Sequence, residues 1–372
     1  MRKALLERAR RVVVKVGSGV IAAEGLLEEQ QVEALAQGVC RLLNRDLEVL
    51  LVSSGAVAAG KGALGINGRP ATIPLKQAAA AVGQSRLMRA YKEAFRNDDR
   101  LVAQILLTRD DLGHRRRYLN ARNTLMTLLE HKVTPIINEN DTVVVEEIRF
   151  GDNDNLSALV CQLAEADLLV ILSDVDGLYD KDPAKHDDAV LIPEVSDITP
   201  EIEAMAGKAA TLVGTGGMET KLQAARTATH TGVATLIVDG REPDILVRVF
   251  DGEQLGTLFL PNEKKMAARK HWIAFSKRPR GSLFLDDGAC RALGSGGKSL
   301  LSSGISRFEG NFERGDAVKL CDLEGEEFAR GVISYSHLEL ARIVGHKSSE
   351  IEALLGYKYG DEIVHRDNLV LK

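Results

Sequence analysis

The octapeptide Gly214-Thr215-Gly216-Gly217-Met218-Glu219-Thr220-Lys221 carries the strongest chemical signal in this chain. Glycines let backbone N–H groups approach an anion closely, and a lysine one turn into the helix that follows can place its charge on the same anion. The segment reads as a phosphate site, although glycines also make ordinary tight turns. A lysine in a first helical turn opposes the helix dipole and is unfavourable unless an anion is present, which singles out Lys221. Lys15 ends an apolar run beside Gly17, where its ammonium can project over a sheet edge. Asp154, at the start of a helical pattern, could cap that helix. It could equally stand between two ammonium groups, reducing their repulsion and holding them in place. Ser54-Gly55 offers a hydroxyl and N–H groups to a carboxylate, and Asp141 offers a negative charge to an ammonium group; either could instead be a turn or a cap. Such a set suits the transfer of a phosphoryl group without a covalent intermediate, which demands positioning and neutralisation of charge on three equatorial oxygens.

Other chemistries fail on single residues. Gly55-Ala-Val-Ala-Ala-Gly60-Lys61-Gly62 lacks the hydroxyl that a P-loop supplies to Mg²⁺, because Gly62 occupies that position. Asp152-Asn153-Asp154-Asn155 opens like a calcium loop, but Leu163 stands where the final carboxylate is required. Gly214-x-Gly216 lacks the third glycine of a dinucleotide fingerprint, and no G-x-S-x-G supports a hydrolase.

The elements that must position these residues are legible as alternation. From residue 11 to about 260, short β-branched apolar runs alternate with helical patterns, which predicts an α/β domain on a mainly parallel sheet. Strands are expected at Arg11 to Val16, Glu48 to Ser53, Val102 to Leu107, Val133 to Asn138, Leu168 to Leu172 and Ala234 to Val238. Their near-continuous hydrophobicity implies burial on both faces. Helices are expected at Lys76 to Phe95, Ala121 to His131 and Asn155 to Ala164. Most strands run at their C-terminal ends into Gly, Ser or carboxylate residues: Lys15-Val16-Gly17-Ser18, Ser53-Ser54-Gly55, Asn138-Glu139-Asn140-Asp141 and Ser173-Asp174. In open α/β sheets that edge binds ligands, so these segments should converge on one site. After Leu260 a charged connector (263–280) leads to glycine-punctuated runs, such as Ala317 to Cys321 and Gly331 to Tyr335, that predict a small β-rich domain over 281–372. The first domain then spans 1–262.

Composition limits the partners. The 372 residues are 45% hydrophobic and 27% charged, as in a soluble globular protein, and 48 basic against 53 acidic residues give a net charge of −5. Nothing in that balance calls for nucleic acid or an anionic membrane. Cys40, Cys161, Cys290 and Cys321 form no C-x-x-C pair and read as buried or free thiols. The N-terminus has no signal-peptide core and no run approaches ~18 apolar residues, so a cytoplasmic location is expected.

Five segments, taken in order, resemble the glutamate 5-kinases of the amino acid kinase family. They are Val13-Val14-Lys15-Val16-Gly17-Ser18, Val52-Ser53-Ser54-Gly55-Ala56-Val57-Ala58-Ala59-Gly60, Ile137-Asn138-Glu139-Asn140-Asp141, Gly151-Asp152-Asn153-Asp154-Asn155-Leu156-Ser157-Ala158 and Gly214-Thr215-Gly216-Gly217-Met218-x-Thr220-Lys221. The tail, with Gly310-Asn311-Phe312-x-x-Gly315 and Val364-His365-Arg366-Asp367, resembles a PUA domain. The resemblance implies a three-layer α/β/α sandwich with ATP and an acyl acceptor along the C-terminal sheet edge, and phosphorylation of the γ-carboxylate of L-glutamate, the first step toward proline. It implies that Lys15 and Lys221 stabilise the transferring group and that Asp154 organises them. Ser54, Gly55, Asp141 and Asn153 would hold glutamate. Lys15, Ser173, Asp174, Thr215, Gly216, Gly217, Met218 and Lys221 would contact the nucleotide, with Mg²⁺ bridging its phosphates and taking few protein ligands. Ser173 stands where threonine is usual in the family, and the hydroxyl is kept. Feedback inhibition by proline and a homo-oligomer, dimer or tetramer, are implied as well. Aspartate, acetylglutamate, carbamate and nucleoside monophosphate kinases are neighbouring alternatives, which the segments 138–141 and 151–158 and the tail argue against. An RNA-binding protein using its tail is the alternative of another class, but residues 280–372 hold 12 basic against 15 acidic residues and lack the basic excess such binding needs.

Overall fold

Strand alternation decides where the chemistry can sit. The computed structural model describes residues 2–23, 26–66, 68, 70–143, 153–183, 185–206, 217–261, 279–294 and 298–371. Two compact units divide the chain, Met1–Glu263 and Lys264–Lys372. The first is built on strands β1 (Arg11–Val16), β2 (Ala22–Ala23), β3 (Leu26–Leu27), β4 (Glu48–Ser53), β5 (Val102–Leu107), β6 (Thr134–Glu139), β7 (Leu168–Ser173), β8 (Glu194–Val195), β9 (Ala234–Asp239) and β10 (Thr257–Phe259). Eight form one sheet in the order β5-β6-β4-β1-β7-β9-β10-β8, while β2 and β3 pair as a small hairpin. The six strands from β5 to β9 are parallel, and β10 runs antiparallel to β9.

Both faces of the sheet are covered, which is why its central strands read as unbroken apolar runs. On one face Val12, Val14 and Val16 of β1 join the core formed with helices Glu29–Leu43, Ile73–Arg96 and Ile245–Phe250. On the other, Val13 joins Leu50, Val52 and Ile171 under helices Arg115–Glu130, Asn153–Ala164 and Met218–His230. This is the α/β/α sandwich. The period of two places Lys15 on the Val13 face, beneath the helices that carry Asp154 and Lys221.

The strands and helices depart from the expected bounds at their ends. The strand expected at 133–138 is displaced by one residue, and β7 and β9 each extend by one polar residue, Ser173 and Asp239, whose backbones still pair in register. Helix Ile73–Arg96 begins earlier than expected because Thr72 caps it, its hydroxyl accepting from the Leu75 amide at 3.3 Å, with Pro74 in the first turn. Helix Arg115–Glu130 takes in the Arg115-Arg116-Arg117 run, which favours helix. Helix Asn153–Ala164 begins two residues earlier than expected, inside the polar cluster.

In the second unit a five-stranded sheet in the order Ile305–Gly310, Gly281–Leu285, Ala317–Cys321, Glu327–Val332, Leu369–Leu371 packs on a core that includes Leu283, Leu320, Ile333, Tyr335 and Leu340. The strand expected over 331–335 instead runs from Glu327 to Val332, and the Ile333 amide still donates to the Asp316 carbonyl at 3.0 Å in the register of the Ala317–Val332 pair. The expected connector lies outside the described residues over 263–278.

Candidate active site

Parallel strands deliver their C-terminal ends to one edge, and the helices that follow begin there. Lys15 is the fifth residue of β1, paired with Val52 of β4 on one side and Ile171 of β7 on the other. Asp154 is the second residue of its helix and Lys221 the fourth of its own. The three side chains meet. Lys15 Nζ contacts Asp154 Oδ1, and Lys221 Nζ lies 3.8 Å from Asp154 Oδ2. The triad is nearly inaccessible, with Asp154 0% exposed, Lys15 4% and Lys221 5%. Charges so buried are tolerated only when paired and hydrogen-bonded. Burial alone would raise the Asp154 pKa, but the ammonium groups of Lys15 and Lys221 and hydrogen bonds from Lys15 and Thr220 hold the carboxyl below its ordinary value. Asp154 is thus an ionised bridge between two cations.

Thr220 was not singled out in the sequence. Its hydroxyl donates to Asp154 Oδ2 at 2.8 Å and also lies 2.9 Å from the Gly217 carbonyl, tying the start of the Met218–His230 helix to the triad. Its signal was its place next to Lys221 in the glycine segment. Gly217 precedes the helix in extended conformation and Met218 is its first residue. Gly214, Thr215 and Gly216 lie outside the described residues, as do Gly151 and Asp152.

The acceptor-side candidates gather around Asn153. Its Nδ2 donates to Ser54 Oγ at 2.9 Å and to Asn138 Oδ1 at 3.0 Å. Gly55 precedes helix Ala56–Ala63 with φ 103°, a left-handed conformation costly to any residue with a Cβ, and a Cβ there would stand 2.9 Å from Ile21 Cδ1. Asp141 lies two residues beyond β6. Burial pushes its carboxyl pKa up, and the Lys76 charge only partly offsets that.

On the other side of β1, Ser173 ends β7 and its hydroxyl lies 3.2 Å from Asp174 Oδ1. Arg241, which belongs to none of the sequence motifs, donates to the Asp174 carbonyl at 2.8 Å and to Asp239 at 2.7 Å, joining the ends of β7 and β9. The four cysteines are free thiols: Cys40, Cys161 and Cys321 are buried and Cys290 partly so, and burial pushes the Cys40 pKa up to about 12.

The arrangement is two cations clamped by one carboxylate, flanked by a hydroxyl-and-amide cluster on one side and a Ser-Asp strand end on the other. It can neutralise a polyanion and hold a small polar acceptor beside it.

Residues 10–239 match the model of the amino acid kinase family, and residues 281–355 match that of the PUA domain. The chain is 63% identical over 372 residues to the glutamate 5-kinase of Syntrophotalea carbinolica and 57% identical over 372 residues to that of Geobacter sulfurreducens, with 100% of each chain covered. Among solved structures, the carbamate kinase from Giardia lamblia bound to AMP-PNP aligns with a TM-score of 0.50 at 18% identity, over 68% of this chain and 99% of that one. That likeness speaks to the fold alone.

Proposed function

The chain belongs to the amino acid kinase family, and on that premise we propose that it phosphorylates the γ-carboxylate of L-glutamate with ATP, yielding ADP and L-glutamyl 5-phosphate. The observation that carries this reading is the buried Lys15–Asp154–Lys221 triad, set in a chain whose full-length relatives are glutamate 5-kinases.

A γ-carboxylate is ionised at neutral pH and attacks the γ-phosphorus directly. The new carboxyl O–P bond forms as the bond to the bridging β,γ oxygen breaks, and ADP leaves with that electron pair. No proton moves, so no general base is required. Asp154 suits this chemistry as an orienting group, because Lys15, Thr220 and Lys221 already occupy its oxygens. Lys15 and Lys221 would then face the transferring group and offset charge as it spreads over the equatorial oxygens.

Ser54, Gly55, Asn153 and Asp141 would receive glutamate, with Asp141 toward its ammonium group. Ser173, Asp174 and the segment 215–218 would receive the nucleotide. Magnesium would be held by the nucleotide's phosphate oxygens and would neutralise charge there. The donor set fits that arrangement, since the buried carboxylate at the centre is committed to lysines. Inhibition by proline and assembly into a homo-oligomer belong to the same proposal.

Incubation with ATP, Mg²⁺ and a panel of acidic amino acids, with hydroxylamine trapping the acyl phosphate as its hydroxamate, tests the reading. A glutamate-dependent hydroxamate is expected; product with aspartate or N-acetylglutamate but not glutamate would overturn the assignment.

A further inference from the structure

A row of three carboxamides lies beneath the acceptor cluster, and two backbone groups set its polarity, the Glu139 amide at Asn138 and the Ser53 carbonyl, which accepts from Asn153 Nδ2 at 3.4 Å. The Glu139 amide donates to Asn138 Oδ1 at 2.9 Å. A backbone N–H can only donate, so this contact identifies which atom of the Asn138 carboxamide is oxygen. The same oxygen accepts from Asn153 at 3.0 Å, so Asn153 must present its nitrogen there, and that nitrogen also reaches Ser54 Oγ at 2.9 Å. The nitrogen of Asn138 then points to Gln84, whose Oε1 accepts it at 2.8 Å. Gln84 is 9% exposed and Asn138 2%. Among the described residues, each end of the row leaves one solvent-shielded atom with no hydrogen-bond partner: Asn153 Oδ1, an acceptor, and Gln84 Nε2, a donor. Buried polar atoms are rarely left so, and an acceptor beside a ligand site is accounted for by a donor on the ligand.

We propose that Gln84 is a positioning residue of the acceptor site. Acting through Asn138, it holds the Asn153 carboxamide with nitrogen toward Ser54 and oxygen toward the bound amino acid, where that oxygen accepts from the α-ammonium group. The inference rests on the reading of the chain as a kinase of an amino acid. A flipped Asn153 would turn its own N–H donors toward the ammonium, replacing attraction by donor–donor repulsion. Gln84 opposes this together with the Glu139 amide and the Ser53 carbonyl. It lies on helix Ile73–Arg96 beside Gly83, where the backbone abuts helix Ala56–Ala63, and one face of that helix also brings the Tyr91 hydroxyl within 2.8 Å of Ser53 Oγ.

The test is steady-state kinetics of Gln84→Met, which keeps the volume and removes both polar atoms, and of Gln84→Glu, which in either protonation state keeps an oxygen able to accept from Asn138. The acceptors are glutamate and glutarate, the same dicarboxylate without its ammonium group. Gln84→Met is expected to raise the glutamate KM at least about tenfold, to leave the ATP KM and kcat within roughly threefold, and to shrink the preference for glutamate over glutarate. Gln84→Glu is expected to restore most of the lost affinity. An unchanged glutamate KM overturns the proposal. So does a fall in kcat and rise in both KM values that tracks a lowered Tm, or a Gln84→Glu variant as impaired as Gln84→Met. Should Gln84→Met not fold, Gln84→Asn, one methylene too short to reach Asn138, carries the same expectation. A wild type inactive on glutamate overturns the assigned substrate and not this proposal, which is then read from the KM of the amino acid the wild type accepts and of its des-amino analogue.

Discussion

Among the individual residues, Asp154 has the most to lose. Removing the carboxylate that Lys15 and Lys221 share leaves two buried cations without their counter-ion, at a cost of about 3–5 kcal/mol, and Asp154→Asn should show that loss in urea unfolding at pH 7. Because the folded state depresses this carboxyl's pKa, its stabilisation is present above the ordinary carboxylate value and drains away as pH falls through the native one, so the gap between variant and wild type should narrow below about pH 4. Lys221→Ala is a different experiment. Asp154 keeps Lys15 and Thr220 as partners, so kcat should fall by about 10²–10³ while the melting temperature moves little; equal losses of both would mark Lys221 as structural. Asp141 has the opposite sign from Asp154. Its pKa is raised in the fold, so its favourable contribution exists in acid and is lost as pH rises through the native value. Asp141→Asn should therefore raise Tm at pH 7 and also raise the glutamate KM by at least about tenfold, the signature of a group kept at a cost to stability.

Secondary elements hold the site by contact closer than side chains allow. A Cβ on Gly83 would stand 1.7 Å from the Ala56 carbonyl oxygen, and one on Gly60 would stand 1.9 Å from that of Ala79. Helices Ala56–Ala63 and Ile73–Arg96 therefore touch backbone to backbone. Gly83→Ala should cost at least about 3 kcal/mol in denaturant unfolding. It should also raise the KM for glutamate more than that for ATP, because Ser54-Gly55 leads directly into the displaced helix. Here the sequence speaks unevenly. Lys221 was legible because a lysine in a first helical turn is unfavourable without an anion; Lys15 and Asp154 were legible only beside it, since a strand-end lysine can be solvated and a first-turn aspartate can simply cap its helix, and the parallel sheet was legible because doubly covered strands are apolar throughout. Gln84 and Arg241 were not, since a glutamine or arginine among helical or loop residues looks solvated until the partner across the sheet is known. Strands β8 and β10, two and three residues long, carry too little alternation to register.

In the whole molecule, the residues gathered at the triad and the acceptor cluster all belong to the unit Met1–Glu263. A chain ending at residue 263 should therefore retain glutamate-dependent ADP release within roughly an order of magnitude of the intact protein. Loss of activity in a truncated chain that still melts cooperatively would show that the second unit contributes to the site. Among the described residues no helix is long and apolar enough to cross a membrane. The triad also joins distant points of the chain, from the first strand of the sheet to a helix near the end of its unit. During synthesis Lys15 leaves the ribosome first and Lys221 last, so an unfinished chain can at most pair Asp154 with Lys15. On the proposed roles of Lys15 and Lys221, the nascent protein would stay catalytically silent until nearly the whole unit has been made, and the return of turnover after denaturation would be a clock for the latest step of its folding.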